Sequence, residues 1–393
     1  MNAIKNYRIE SIDLLRGVVM IIMALDHVRD YFHAAAFVSD PTNMETTTIV
    51  LFFTRFITHY CAPVFIFLAG TSAYLYGTKK TKAELFNFLW TRGLWLIFIE
   101  VTVMTLLWWF DLTFGFFNLQ VIWAIGLCMV FLSGLIYLPK KVLIGLGLLL
   151  VFGHNILDGI VMEGTGISAI LWYVFHQSTF VQIGDTWISF LYPILPWIGV
   201  ISLGYVFGAL YTKEFDPGLR KKWLMRLGLS AIGLFIVLRA MNGYGNLTPW
   251  SAQKNIAFTV LSFFNVTKYP PSLLFLLITL GPAFLFLRFT ESCKNKLTDF
   301  ALVFGRVPLF YYVIHVFVIH IVAILGIIIN GGDWTLMLIT MDKLLNGSLA
   351  GYGYSLGTVY LIWIAIVLAL YPISKWYMNY KANNRHKWWL KYL

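Results

Sequence analysis

The chain has 393 residues, 59% of them hydrophobic and only 12% charged, against about 25% charged in a soluble domain; this excludes an ordinary soluble enzyme and points to an all-α polytopic membrane protein. Its formal charge of +11 sits in short Lys/Arg clusters between apolar runs, the pattern of orienting loops, so nucleic acid is not expected as a partner. Cys61, Cys128 and Cys293 lie in or beside apolar runs without CxxC spacing, which supports neither a disulfide framework nor a metal centre.

Runs long enough to cross about 30 Å of hydrocarbon lie near residues 12–33, 48–76, 85–110, 117–138, 142–162, 187–211, 223–241, 271–290, 303–329 and 354–378. They predict about ten transmembrane helices in one integral-membrane domain over 1–393. The opening MNAIKNYRIESIDLLRG leads into the first run without a small-residue cleavage site and reads as a retained span, not a signal peptide. Residues 168–182 predict a re-entrant or interfacial helix, and the Gly- and Asn-rich connections 242–270 and 330–353 are long enough to act as lids. Basic residues alternate between sides: Lys5 and Arg8, then Lys79, Lys80 and Lys82, Lys140 and Lys141, Lys213 to Arg226, Arg288 to Lys296, and the tail after Lys375 all fall on one. That bias places both termini in the cytoplasm. The terminal RHKWWLKYL mixes Trp with Lys and Arg as an interfacial anchor does, with membrane lipid headgroups as its partner.

The first span carries Asp13, Arg16, Asp26 and His27. Eleven residues separate Arg16 from His27, about three helical turns or ~16 Å with only ~20° of drift, so both project from one face. Ionisable groups in hydrocarbon are costly unless paired or facing a wet cavity, so this stripe marks a functional site. Asp13 and Arg16, three apart, are placed to pair. A histidine is the usual side chain for general-base work, and His27 lies deeper than that pair, toward the outer half of the span. In the second span Arg55 and His59 share a face, Pro63 loosens the helix beside them, and Gly70 to Ala73 read as a close helix contact. In FGRVPLFYYVIHVFVIH, Arg306 stands at the basic end and His315 about 13 Å further in. Tyr312 lies one turn before it; His320 is about 140° from His315 around the helix, so both cannot face one substrate atom and one of the two is structural. Lys268, ahead of Tyr269, Pro270 and Pro271, is a cation held at the far end, suited to a substrate group. Gln120 and Asp111 are polar rim residues.

Laid end to end, RxxSIDLLRGVVMIIMALDHVRDYF, THYCAPVFIFLAGTSAYL, ILPWIGVISLGYVFGALY, TKYPPSLLFLLITLGP and FGRVPLFYYVIH resemble the heparan-alpha-glucosaminide N-acetyltransferase-like family, and the Arg16-x10-His27 pair is similar to the signature of the acyltransferase-3 family. The resemblance implies a transmembrane acyltransferase bundle, in the inner membrane of a bacterium, that moves an acetyl group from cytoplasmic acetyl-CoA to a sugar amine or hydroxyl of a glycan on the other side. The animal lysosomal branch carries asparagine at the place of His27 and its histidine in the loop that follows. This loop holds His33, which leaves His27, His33 and His59 as candidate bases.

The expectation is therefore a catalytic group of His27, His59 and Asp26, donor binding by Arg16, Arg306 and His315, and acceptor binding by Arg55, Lys268 and Tyr312. Acetyl-CoA is the acyl donor, no metal is expected, and a second copy of the chain is a candidate partner. The rival reading is a proton-coupled transporter or flippase for a glycan or lipid-linked solute, using His27, His59 and His315 as a relay.

Overall fold

The computed structural model describes residues 10–391; Lys5 and Arg8, counted above among the orienting cations, lie outside them. In chain order the helices are α1 (Glu10–Phe32), α2 (Ile49–Thr58), α3 (Cys61–Gly77), α4 (Lys82–Ile99), α5 (Thr105–Trp109), α6 (Val121–Leu135), α7 (Lys140–Gly153) and α8 (Ile167–Phe175). They continue with α9 (Leu195–Phe207), α10 (Pro217–Met241), α11 (Ile256–Phe264), α12 (Leu273–Thr290), α13 (Lys296–Arg306), α14 (Pro308–Ile329), α15 (Met341–Leu345) and α16 (Leu356–Asn383). Seven helical segments are long and apolar enough to cross a membrane: Ile49–Gly77, Lys82–Trp109, Lys140–Leu157, Pro217–Met241, Leu273–Thr290, Pro308–Ile329 and Leu356–Asn383. Val121–Leu135 and Leu195–Tyr211 are shorter apolar helices, and α1 spans 23 residues but carries the polar stripe. Each of the ten predicted runs thus contains a helix, in an all-α integral membrane protein.

Where the boundaries differ, the local chemistry explains them. The predicted runs 117–138 and 187–211 begin in strands: β1 (Phe116–Leu119) and β3 (Thr186–Phe190), with β2 (Thr179–Ile183) between them in the chain. β3 is the centre of this sheet, parallel to β1 and antiparallel to β2. The alternating TFVQI and TWISF flank Gly184–Asp185, with Gly184 at φ 61°; this is the two-residue hairpin signal, concealed by its apolar content. The predicted interfacial helix 168–182 is accordingly α8 followed by a strand. The predicted run 303–329 is also two elements. Asn295 caps α13 through a reciprocal bond pair with Thr298, and Pro308, which lacks an N–H, restarts the chain as α14. The 242–270 connection holds α11 and is locked by Arg239, which donates to the carbonyls of Phe263, Thr248, Ser262 and Asn265 at 2.7–2.9 Å.

α1 runs through the middle of the bundle, packed against α13, α14, α16, α3, α2 and α12. Several helix crossings depend on glycine, because a membrane interior offers little hydrophobic drive and close backbone approach must supply the packing. A Cβ on Gly17 would stand 1.9 Å from the Ala301 carbonyl oxygen, and one on Gly305 would stand 1.8 Å from that of Asp13. Where α3 crosses α9, a Cβ on Gly70 would meet the Ile201 carbonyl oxygen at 2.1 Å, as the GTSA reading anticipates. The first crossing presses the basic end of α1 against α13 and so brings Arg16 near Arg306.

Candidate active site

Two cavities meet at the middle of α1. The first, of about 380 Å³, opens toward the basic end and is lined by Arg16, Arg92, Arg306 and Lys381 together with Tyr312 and apolar side chains. The second, of about 290 Å³, lies toward the far end and is lined by Asp26, His27, Asp30, Arg55, Lys268 and Trp108 among others. Met23, Phe65 and Val121 line both and form the partition between them. The three-turn stripe of α1 therefore puts Arg16 in one chamber and His27 in the other, on the same helical face.

Contacts that hold Arg16 include Nη1 to Asp13 Oδ1 at 3.0 Å, Nη1 to the Gly305 carbonyl at 3.4 Å, and Nη2 to Ser72 Oγ at 3.0 Å. The first is the predicted i,i+3 pair. Arg306 ends α13 instead of opening α14, and it donates to Glu10 Oε1 at 3.0 Å. With Arg92 and Lys381, which sequence reasoning did not single out, these guanidiniums and ammonium make a cationic mouth suited to phosphate.

His27 is the better placed of the histidines. Its Nδ1 lies 2.7 Å from His315 Nε2, and His315 Nδ1 lies 2.7 Å from the Tyr311 carbonyl oxygen. A carbonyl only accepts, so His315 Nδ1 carries a proton and its Nε2 offers a lone pair. His27 Nδ1 must then donate, which leaves His27 Nε2 unprotonated. The ring stands edge-on to Trp108 at 4.7 Å and to Tyr312 at 5.8 Å between centroids, and Trp108 Nε1 donates to Tyr312 Oη at 3.4 Å. His315 itself lines neither cavity: it is fully buried behind His27.

The other candidates separate. His59 is buried between Phe56 and Phe275 and lines neither cavity. His33 follows α1, bridges to Tyr354 and accepts from the Ala35 N–H at 3.2 Å. His320 is structural, between the carbonyls of Leu107 at 2.9 Å and Met337 at 2.7 Å. Asp26 takes both Arg55 contacts (2.9 and 2.7 Å), Arg29 at 2.8 Å and Thr58 Oγ1 at 2.9 Å. It is thus the hub of a far-end ion network, with Arg55 as its partner, and not a hydrogen-bond partner of His27. Lys268 lines the same chamber over the Tyr269 ring, 5.0 Å from its centroid. Gln120 also lines it, whereas Asp111 caps a turn through Thr113. The 330–353 connection covers the chamber with Ile339 and Leu344. Sequence reasoning also missed Asp30, which the i,i+3 and i,i+4 spacing to His27 and Asp26 on α1 could have found, and Trp108, whose place in the cavity comes from folding and leaves no spacing signal.

Among curated proteins, none matches this chain. Residues 8–238, more than half of its length, match the family model for heparan-alpha-glucosaminide N-acetyltransferase, catalytic, and with a membrane-embedded bundle around a polar stripe the chain belongs to that family of transmembrane acetyltransferases.

Proposed function

We propose that the protein transfers an acetyl group from acetyl-CoA, bound from the cytoplasmic side in the cationic chamber, to an amine or hydroxyl of a sugar or glycan in the far chamber. The observation that carries this reading is the Tyr311–His315–His27 relay, which leaves His27 Nε2 with a free lone pair on the acceptor side. Arg16, Arg92, Arg306 and Lys381 hold the phosphates of the donor, and its thioester reaches the partition beside Tyr312. His27 Nε2 takes the proton of the acceptor N–H or O–H as the nitrogen or oxygen attacks the thioester carbonyl carbon. Tyr312 Oη donates to the oxyanion. Collapse of the tetrahedral intermediate breaks the C–S bond, and the imidazolium returns its proton to the departing CoA sulfur. Arg55, Asp30 and Lys268 orient the acceptor. The basic-end clusters support cytoplasmic termini.

Purified protein in detergent, given radiolabelled acetyl-CoA and glucosamine or a hydroxyl-only sugar, should release CoA only with an acceptor. His27→Ala should stay folded and lose about 10²–10⁴-fold in kcat. Undiminished turnover by that variant would remove His27 as the base. Solute flux driven by a pH gradient, with no acetyl-CoA binding, would replace the acyltransferase by the transporter.

A further inference from the structure

We propose that His154, Asp158 and His176 form a binding site for a divalent transition-metal ion, zinc by the character of its donors, that fastens α7 to α8 away from the acyl-transfer chambers. Among the described residues this is a place where three candidate ligands converge: one ligand atom from each lies within 4.8 Å of the others. His154 opens the 3-10 turn His154–Leu157 directly after α7, Asp158 caps that turn, and His176 caps α8. Neither sequence spacing nor a cysteine motif announces the group; folding brings its parts together.

The second observation is a shortage of partners. His154 and His176 are each 2% exposed. Both ring nitrogens of His154 and Nδ1 of His176 have no hydrogen-bond partner, although buried polar groups almost always find one. Asp158 is already positioned as a ligand is: Oδ1 lies 3.1 Å from His176 Nε2, and Oδ2 accepts from Asn155 Nδ2 at 2.8 Å. An outer partner of that kind holds a ligating carboxylate in place. Two imidazoles and a carboxylate suit zinc and its neighbours, whereas calcium and magnesium favour all-oxygen sets. Metal–ligand bonds of about 2.0–2.1 Å put tetrahedral donor atoms roughly 3.4 Å apart, so closing the site takes a small side-chain rotation. Water completes the fourth position.

The ion acts as a clamp because none of its ligands lines either chamber. Asn155 extends the clamp to a third helix: its Oδ1 accepts from the Leu273 N–H at 2.9 Å, in the first turn of α12. That turn follows the Lys268 segment of the far chamber.

The test uses the full chain with a tag free of histidine, equilibrated with Zn²⁺ or Co²⁺ and then dialysed against metal-free buffer. We expect one zinc per chain by elemental analysis, a tetrahedral Co²⁺ absorption band in the visible, and a Zn²⁺-dependent rise in thermal midpoint. His154→Gln and His176→Gln should abolish all three, and Asp158→Asn, which replaces an anionic ligand by a neutral amide, should lower the amount of metal retained. Should the glutamine variants fail to fold, the Co²⁺ band of the wild type decides, since its intensity distinguishes a tetrahedral site from octahedral surface binding. No retained metal in the wild type, an octahedral Co²⁺ spectrum, or equal retention by a folded His154→Gln, His176→Gln double variant would overturn the proposal and leave a buried His–Asp pair.

Discussion

Replacing His315 by alanine isolates the relay behind His27. His315 lines neither chamber, and its hydrogen-bonded link to the chemistry is the 2.7 Å contact to His27 Nδ1, beside an edge-on ring contact with Tyr312 at 5.6 Å between centroids. When His27 takes a proton it becomes an imidazolium whose Nδ1–H donates a charge-assisted bond to His315 Nε2, worth about 1.5–3 kcal/mol. Losing that bond lowers kcat by about 10- to 150-fold, less than losing the base itself. The KM for acetyl-CoA should stay put, because no donor contact is removed. His315→Gln supplies a carbonyl that accepts from His27 Nδ1, and so should restore much of kcat; it should also shift the acidic limb of the pH–kcat profile back toward the wild type. Steady-state kinetics on detergent-purified protein across pH reads all three quantities. A raised KM with an unchanged kcat would mean that His315 serves donor binding, the role its position in the sequence suggests, and would refute the relay. Wild-type kcat in His315→Ala would refute it as well.

Arg16→Ala should weaken acetyl-CoA binding by about 10- to 150-fold, the loss of one charge-assisted contact of ~1.5–3 kcal/mol; unchanged affinity by calorimetry would take Arg16 out of the donor site. Asp26→Asn strips the buried Arg55 and Arg29 of their shared carboxylate and should destabilise the fold by about 3–5 kcal/mol, read as a lower midpoint in a detergent thermal-shift assay. An unchanged midpoint there would show that the guanidiniums find other partners. Gly305→Ala places a methyl where 1.8 Å separates it from the Asp13 carbonyl oxygen and should cost about 1–3 kcal/mol or more as α1 and α13 part. Acetyl-CoA affinity should fall with it, since the same crossing aligns Arg16 with Arg306; stability and affinity equal to the wild type would show that the helices part without consequence.

Much of this protein was legible in its residues alone because the bilayer imposes strict rules on them. Hydrocarbon forces backbone pairing into helices, so each predicted apolar run contains one, and the cost of burying ions made the Arg16–His27 stripe stand out before any fold existed. Local chemistry of fixed range also survived: the Asp13–Arg16 pair and the Gly70 contact follow from spacing within one helix. Apolar content alone concealed the hairpin β2–β3 and the break before Pro308, since a run of hydrophobic letters does not reveal its own period. The tertiary structure decided everything that joins distant segments. It set His315 behind His27 and fixed which nitrogen carries the proton, it turned Asp26 toward Arg55 and away from the histidines, and it moved His59 out of both chambers. It also gathered His154, Asp158 and His176 at one point. Side-chain partners 20 to 300 residues away are chosen by packing, and the one-dimensional pattern of a helix states only which face a residue occupies, never what that face will meet.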